Sequence, residues 1–326
     1  MPLGEFDVIR RYFQRDQHRP DLVLGIGDDC ALVDLVEDNS YLALTVDTLV
    51  ADNHFPADAS AADIASRSLC VNLSDLAAMG AKPLWFTLSL SLPEVNESWL
   101  TAFSEGLFAV ADRFDCQLVG GDTTRGPLSI TVQMQGSVSV NHYLTRSEAQ
   151  AGDHIFVTGT LGDGAAALAM IRKRLTMNDR ETDYLYQRFY QPEPQLAAAQ
   201  KLLGISRAAI DISDGLLADL SHIASASQVA MAIDIDCLPL SPVLHKLYQQ
   251  EPQQVRQWAL AGGDDYQLAF TVPKTKLSIV RKMITTEELI ATEIGIVKAG
   301  EGVECHLRGT PYTYSFDKGY QHFVST

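Results

Sequence analysis

Apolar runs of period two alternate with apolar stripes of helical period along nearly the whole chain, and this alternation constrains the fold more than any other feature. In residues 86–92, Phe86, Leu88, Leu90 and Leu92 share one face while Thr87, Ser89 and Ser91 share the other, which predicts a strand with one wetter side. Residues 130–140 repeat the pattern with Ile130, Val132, Met134, Val138 and Val140, and residues 41–46 form a short apolar run ending at Asp47. Between them, Ala65, Leu69, Leu73 and Leu76 predict a helix over 62–79 with Gly80 at its C′ position. Trp99, Phe103, Leu107 and Val110 predict another over 97–113, with Asn96 as its N-cap. The polar stretch 141–153 separates these elements from a new strand at 154–158. Strands and helices on both sides of that seam predict an α/β protein of two domains, 1–145 and 146–326, and 46 % apolar residues supply enough material for two cores. Residues 176–195 are polar and carry Pro192 and Pro194, so they are expected to form a surface excursion of the second domain.

Aspartates recur at the joints of this pattern. GIGDD (25–29), VDT (46–48), NLSD (72–75), GGDTT (120–124), DISDG (211–215) and GGDDY (262–266) each put Asp beside Gly or at the end of an apolar strand. Asp is short, so a turn holds its carboxylate firmly, and Gly lets backbone approach a phosphate closely. Two carboxylates about 4 Å apart repel by about 4 kcal/mol at an effective dielectric near 20, so converging turns of this kind call for cations. Magnesium, which takes oxygen ligands from carboxylates, phosphates and water, is the natural one. Taken singly, each segment also reads as an ordinary turn. Asp75 sits on a polar helical stripe with Ser68 and Asn72 that equally suits a solvated face, and Asp214 also suits a plain helix N-cap. A second phosphate candidate is TGTLGDGAAA (158–167), where a strand, a glycine-rich turn and a helix start follow one another, although no Walker lysine follows.

The remaining features mostly exclude. With 41 Asp+Glu against 25 Lys+Arg, a formal charge of −16, the chain repels phosphate backbones, so nucleic acid is a poor partner. Five widely spaced cysteines without a C-x-x-C pair argue against a disulfide framework or a zinc site and for a reducing compartment, the cytoplasm. Residues 1–13 carry charges and no apolar core, unlike a signal peptide, and no apolar run is long enough to span a membrane. No G-x-S-x-G, H-E-x-x-H or Cys/His pairing points to nucleophilic or zinc hydrolysis.

The strings GIGDDCA (25–31), VDTLV (46–50), NLSDLAAMGA (72–81), GGDTTRGP (120–127), VTGTLGDGAAAL (157–168), AIDISDGLLADL (209–220), GGDDYQL (262–268) and KGYQHF (318–323) together resemble the bacterial thiamine-monophosphate kinases, of the aminoimidazole ribonucleotide synthetase-like superfamily. They occur in family order and cover nearly the whole chain. The resemblance implies an N-terminal sheet that pairs across a homodimer, a C-terminal α/β domain, and ATP bound at the domain and subunit junction. It implies Mg²⁺-dependent, direct in-line transfer of the γ-phosphate of ATP to thiamine monophosphate, the last step towards thiamine diphosphate. Carried over by position, Asp29, Asp47, Asp75, Asp122, Asp211 and Asp214 match metal-binding acids, with Thr45 and the Val46 backbone beside them. Gly121, Asp122, Arg146 and Ser213 match ATP contacts. His54, Asp264 and Tyr320 match substrate contacts, and Asp75, Asp122 and Arg146 are the expected catalytic groups. The family usually has Glu at positions 264 and 267 and Thr at 46, where this chain has Asp264, Gln267 and Val46. Another ATP-dependent synthetase of the superfamily, or an acidic metal- or nucleotide-binding module, is the alternative.

Overall fold

The computed structural model describes residues 22–24, 28–34, 39–317 and 319–320. The first half builds a six-stranded sheet from β1 (Leu22–Leu24), β2 (Ala31–Asp34), β3 (Ser40–Val50), β4 (Lys82–Leu92), β5 (Gln117–Arg125) and β6 (Ser129–Ser139), in the order β1-β2-β3-β6-β4-β5. Two helices, α1 (Ala61–Ala78) and α2 (Glu97–Arg113), follow β3 and β4. Phe86, Leu90 and Leu92 of β4 and Ile130, Val132 and Met134 of β6 are buried in the core that these helices cover, as the period-two pattern predicts. The capping signals act as read: the Asn96 carboxamide accepts from the Trp99 amide, and Gly80 takes φ +69 just beyond α1.

The second half builds a seven-stranded sheet in the order β13-β12-β9-β11-β7-β10-β8. Its strands are β7 (His154–Thr158), β8 (Ala209–Asp211), β9 (Ala230–Asp234), β10 (Leu268–Val272), β11 (Ala291–Lys298), β12 (Gly302–Leu307) and β13 (Thr310–Pro311). The helices are α3 (Asp163–Ile171), α4 (Asp179–Tyr190), α5 (Leu196–Leu202), α6 (Leu216–Ser227), α7 (Pro242–Tyr248), α8 (Pro252–Ala261) and α9 (Leu277–Thr285). No helix among the described residues is long and apolar enough to cross a membrane.

Helix α1 links the halves. Leu69, Leu73 and Leu76 enter the first core, while Ala77 and Ala78 pack with Phe156, Leu268 and Phe270 of the second sheet. A helix buried on all sides has no solvated face. The polar stripe of α1 is therefore interior: Ser68 and Asn72 are fully buried, which removes the solvated-face reading of Asp75.

Residues 176–195 correct the sequence reading. They are no loose excursion but hold helix α4, whose Asn178 and Glu181 form a reciprocal capping box. Leu185, Phe189 and Tyr190 are buried against Ala166, Ala167, Leu244 and Val255. The segment looks polar because its exposed face is densely charged, but its few apolar residues are large and fall on one side.

Candidate functional site

The turns converge from both sheets. Asp29, just before β2, Asp75, near the end of α1, and Asp211, the last residue of β8, each offer a carboxylate oxygen, and these oxygens lie within 4.8 Å of one another. The surroundings hold each acid in place. Ser74 donates to Asp211 Oδ2 at 2.7 Å, and the Thr45 hydroxyl of β3 donates to Asp75 Oδ2. Arg146 grips Asp29 with two bonds, Nε to Oδ2 at 2.9 Å and Nη2 to Oδ1 at 2.7 Å, and its backbone amide donates to Asp28.

This packing of like charges is costly. Burial, reinforced by the charges of Asp47, Asp211 and Asp29, raises the Asp75 carboxyl well above the usual range. Burial and Asp29 do the same to Asp211, and burial with the Asp29 charge pushes Asp28 to about 7. The donor set is oxygen only and the anions exceed the cations beside them, which fits a hard divalent cation such as Mg²⁺.

The triad lies against a large cavity, about 1420 Å³, whose lining includes Val46, Asp47, His54, Asp75, Asp211, Ser213, Asp214, Asp264 and Tyr320. Nine of the sequence-predicted site residues thus share one space, and Asp29, Thr45 and Arg146 join it through their bonds to one another and to Asp75. Val46 points its side chain away from buried Thr45 and is 59 % exposed, so only its backbone faces the acids. Tyr320 is placed by the terminal segment: its amide donates to the Asp214 carbonyl, and its hydroxyl donates to Asn53, next to His54. Gly319 makes this docking possible, since a β-carbon there meets the Asp214 carbonyl oxygen at 2.7 Å. The rest of the string at 318 and 321–323, and Gly25 and Gly27, lie outside the described residues.

Gly121 and Asp122 stand apart. They sit on edge strand β5, three strand spacings from β3 in the order β3-β6-β4-β5. Asp47, Val132, Leu88 and Gly121 form one row across the sheet, so Gly121 is about 14 Å from Asp47. Asp122 is exposed there and does not line the cavity.

Two local readings change. Asp214 is not the N-cap of α6. Gly215 holds that position, and Asp219 accepts from the Asp214 and Gly215 amides at 3.2 and 3.0 Å. Asp214 lines the cavity. The glycine-rich turn 158–167 is not an anion site either. Its amides at Gly162 and Gly164 already donate to the buried Asp265 carboxylate, at 2.6 and 3.0 Å. A side chain 101 to 103 residues away does what a phosphate was expected to do.

Sequence reasoning also missed Arg67, which no motif flagged. It is buried on α1, bonds Asp264, donates to the Phe189 carbonyl at 2.7 Å, and lays its guanidinium 4.1 Å from the Phe189 ring centre. Ser74 and Asp219 lay inside quoted strings without an assigned role; the signal available for both was a polar residue on the apolar side of a helix.

Residues 27–138 match the AIR synthase related protein N-terminal domain, and residues 150–308 match the corresponding C-terminal domain. The thiamine-monophosphate kinase of Escherichia coli K12 is 47 % identical over the full length of both chains. The chain belongs to the thiamine-monophosphate kinase family. Within this kinase family, the Stenotrophomonas maltophilia K279a structure is 44 % identical, covers 95 % of this chain and 98 % of its own, and superposes with a TM-score of 0.78. The structure of AaThiL complexed with AMPPCP and TMP is 31 % identical over 99 % of both chains, with a TM-score of 0.84. The departures from the kinase family pattern now have a structural setting. Asp264, at φ +68, is tied to Arg67, and the Gln267 carboxamide accepts the Thr158 hydroxyl in the core.

The Asp265 cap carries a prediction of its own. Burial and then the charge of Asp163 push its carboxyl to about 7. Because the folded value is raised, the stability it contributes is complete below pH about 4 and is lost as pH rises through about 7. The stability advantage of the wild type over Asp265→Asn, measured by urea unfolding in EDTA, is expected to shrink between pH 5 and pH 8. An advantage that grows over that range contradicts the assignment.

Proposed function

We propose that this chain transfers the γ-phosphate of ATP to thiamine monophosphate, giving ADP and thiamine diphosphate, with Mg²⁺ held by the acid cluster. The observation that carries the reading is a carboxylate triad, two of whose members, Asp75 and Asp211, line the same cavity as His54, Asp264 and Tyr320. Family membership over the full chain, and a relative solved with AMPPCP and TMP, support the choice of substrates.

Phosphoryl transfer requires positioning and charge neutralisation more than covalent help. The attacking phosphate of thiamine monophosphate is already largely dianionic at neutral pH, since its second pKa is about 6, so no strong general base is needed. Asp29, Asp75 and Asp211 would hold Mg²⁺, with Asp47 and Asp214 beside them and Thr45 fixing Asp75; several ions fit so many acids. When bound, the metal supplies electrostatic neutralisation of two polyanions. Arg146, kept oriented by Asp29, would supply a guanidinium to the phosphates. Ser213 and the Val46 backbone complete the nucleotide side, and His54, Asp264 and Tyr320 hold the acceptor.

Gly121 and Asp122 enter this scheme through a homodimer. Val46 and Trp85 are exposed on one face of the first sheet, at 59 % and 40 %, which supports pairing of that sheet with a second copy. The β5 edge would then serve the neighbouring subunit's nucleotide. We place the domain boundary at 145/146, in the gap between the two matched regions, and the enzyme in the cytoplasm, in keeping with five free thiols.

The test is a coupled assay of the purified chain with ATP and thiamine monophosphate, with and without Mg²⁺, scored for thiamine diphosphate. ADP release without thiamine diphosphate sinks the reading. A second check uses stability. Mg²⁺ competes with protons that Asp75, Asp211 and Asp28 hold more tightly than ordinary carboxyls do. The rise in melting temperature caused by Mg²⁺ is therefore expected to be larger at pH 8 than at pH 6, and an equal rise at both removes the triad from the metal site.

A further inference from the structure

Helix α4 turns three aromatic side chains, Tyr186, Phe189 and Tyr190, towards the cavity wall. Two have their faces taken. Phe189 is 1 % exposed and carries the Arg67 guanidinium 4.1 Å from its ring centre, and Tyr190 is 2 % exposed behind its neighbours. Tyr186 alone of the three presents an open ring, at 39 % exposure.

That ring is fixed before any ligand arrives. Its hydroxyl donates to Asp63 Oδ2 at 2.6 Å, and the same oxygen accepts the Ser60 hydroxyl at 2.6 Å, at the capped start of α1. Tyr190 backs it with ring centres 4.5 Å apart. Burial, the bond to Asp63 and the nearby charges raise the Tyr186 hydroxyl, so it stays a neutral phenol. A phenol that donates to a carboxylate gains electron density in its ring, and an electron-rich face attracts a cation. Asp52 and Asp58 line the same cavity and add negative potential there.

We infer that Tyr186, anchored by Asp63 and backed by Tyr190, is the face on which the cationic heteroaromatic half of the substrate stacks. The inference rests on the kinase reading, because thiamine monophosphate supplies both chemistries: a thiazolium cation joined to an aminopyrimidine at one end and a phosphate at the other. The phosphate belongs at the metal triad, and the ring system requires a wall that is aromatic, fixed and negative. Tyr186 is a specificity-determining residue on this account, and Asp63 a positioning residue that acts through it.

Steady-state kinetics of Tyr186→Phe, Tyr186→Leu and Tyr186→Ala test this. The Leu and Ala variants are expected to raise KM for thiamine monophosphate about tenfold, the scale of a partly desolvated cation–π contact, with KM for ATP within about twofold of wild type. The Phe variant keeps the ring and is expected to stay within about threefold. The inference is overturned if Leu and Ala leave KM for thiamine monophosphate unchanged, if both KM values rise together, or if Phe is as damaging as Ala. A wild-type enzyme that does not convert thiamine monophosphate sinks the kinase reading and this inference with it. A converting wild type with indifferent Tyr186 variants sinks the inference alone.

Discussion

Asp75→Asn is expected to lower turnover at saturating Mg²⁺ by at least about 10²-fold, the scale of losing a principal electrostatic stabiliser, and at the same time to raise the melting temperature of the metal-free protein. The two effects share one cause. Asp75 is half-buried and faces Asp47, Asp211 and Asp29, and the loss of water around it together with their charges holds its carboxyl well above the usual range. A raised folded value means that the stability it contributes is present only below the ordinary carboxylate range and is lost as pH rises. Near neutral pH the wild type must keep a proton there or accept the repulsion. Asparagine escapes both, and its carbonyl oxygen still accepts the Thr45 hydroxyl. It also removes a ligand from the triad. Turnover measured beside metal-free thermal melts separates the possibilities. A variant with near wild-type turnover ends the metal-cage account, and a variant with a clearly lower metal-free melting temperature shows that Asp75 serves packing instead.

Arg67→Met is expected to destabilise the protein by about 2–4 kcal/mol, below the upper range for a broken buried pair because Asp264 retains some contact with the cavity. Arg67 is 3 % exposed and Asp264 is 25 % exposed. The substitution leaves Asp264 without its cation, leaves the Phe189 carbonyl without its donor, and uncovers the Phe189 ring. Because both partners, Asp264 and Phe189, border the cavity, KM for thiamine monophosphate is expected to rise as well. Arg67→Met combined with Asp264→Asn should cost less than the sum of the single changes, because the double variant no longer buries an unpaired charge. Strict additivity in urea unfolding means that the pair is not coupled.

Local signals were legible in the sequence and long-range pairings were not. The period-two pattern of 86–92, the Asn96 cap and the Gly80 terminus are decided by neighbours a few residues away, and each appears where expected. The convergence of Asp29, Asp75 and Asp211 needed the family resemblance, since spacing cannot reveal that turns 46 and 136 residues apart meet. The same blindness explains the turn at 158–167, because nothing local announces that Asp265 fills its amides. It explains Arg67 too, whose partner lies 197 residues downstream. Composition hides helix α4 within 176–195, because it averages two faces that the fold keeps separate.

Helix α1 meets the site at four points along its length: Asp63 meets Tyr186, Arg67 meets Asp264, Ser74 meets Asp211, and Asp75 meets Thr45. At 1.5 Å rise per residue, Asp63 and Asp75 stand about 18 Å apart and Arg67 and Asp75 about 12 Å. The helix is thus a gauge. The span between Asp63, which anchors the wall proposed for the acceptor's rings, and Asp75, proposed for its phosphate end, is set by a count of residues. One residue inserted between positions 67 and 75 would turn Asp75 by about 100° away from its partners while leaving Arg67 in place. Substrate length, on this view, is written into the register of a single buried helix.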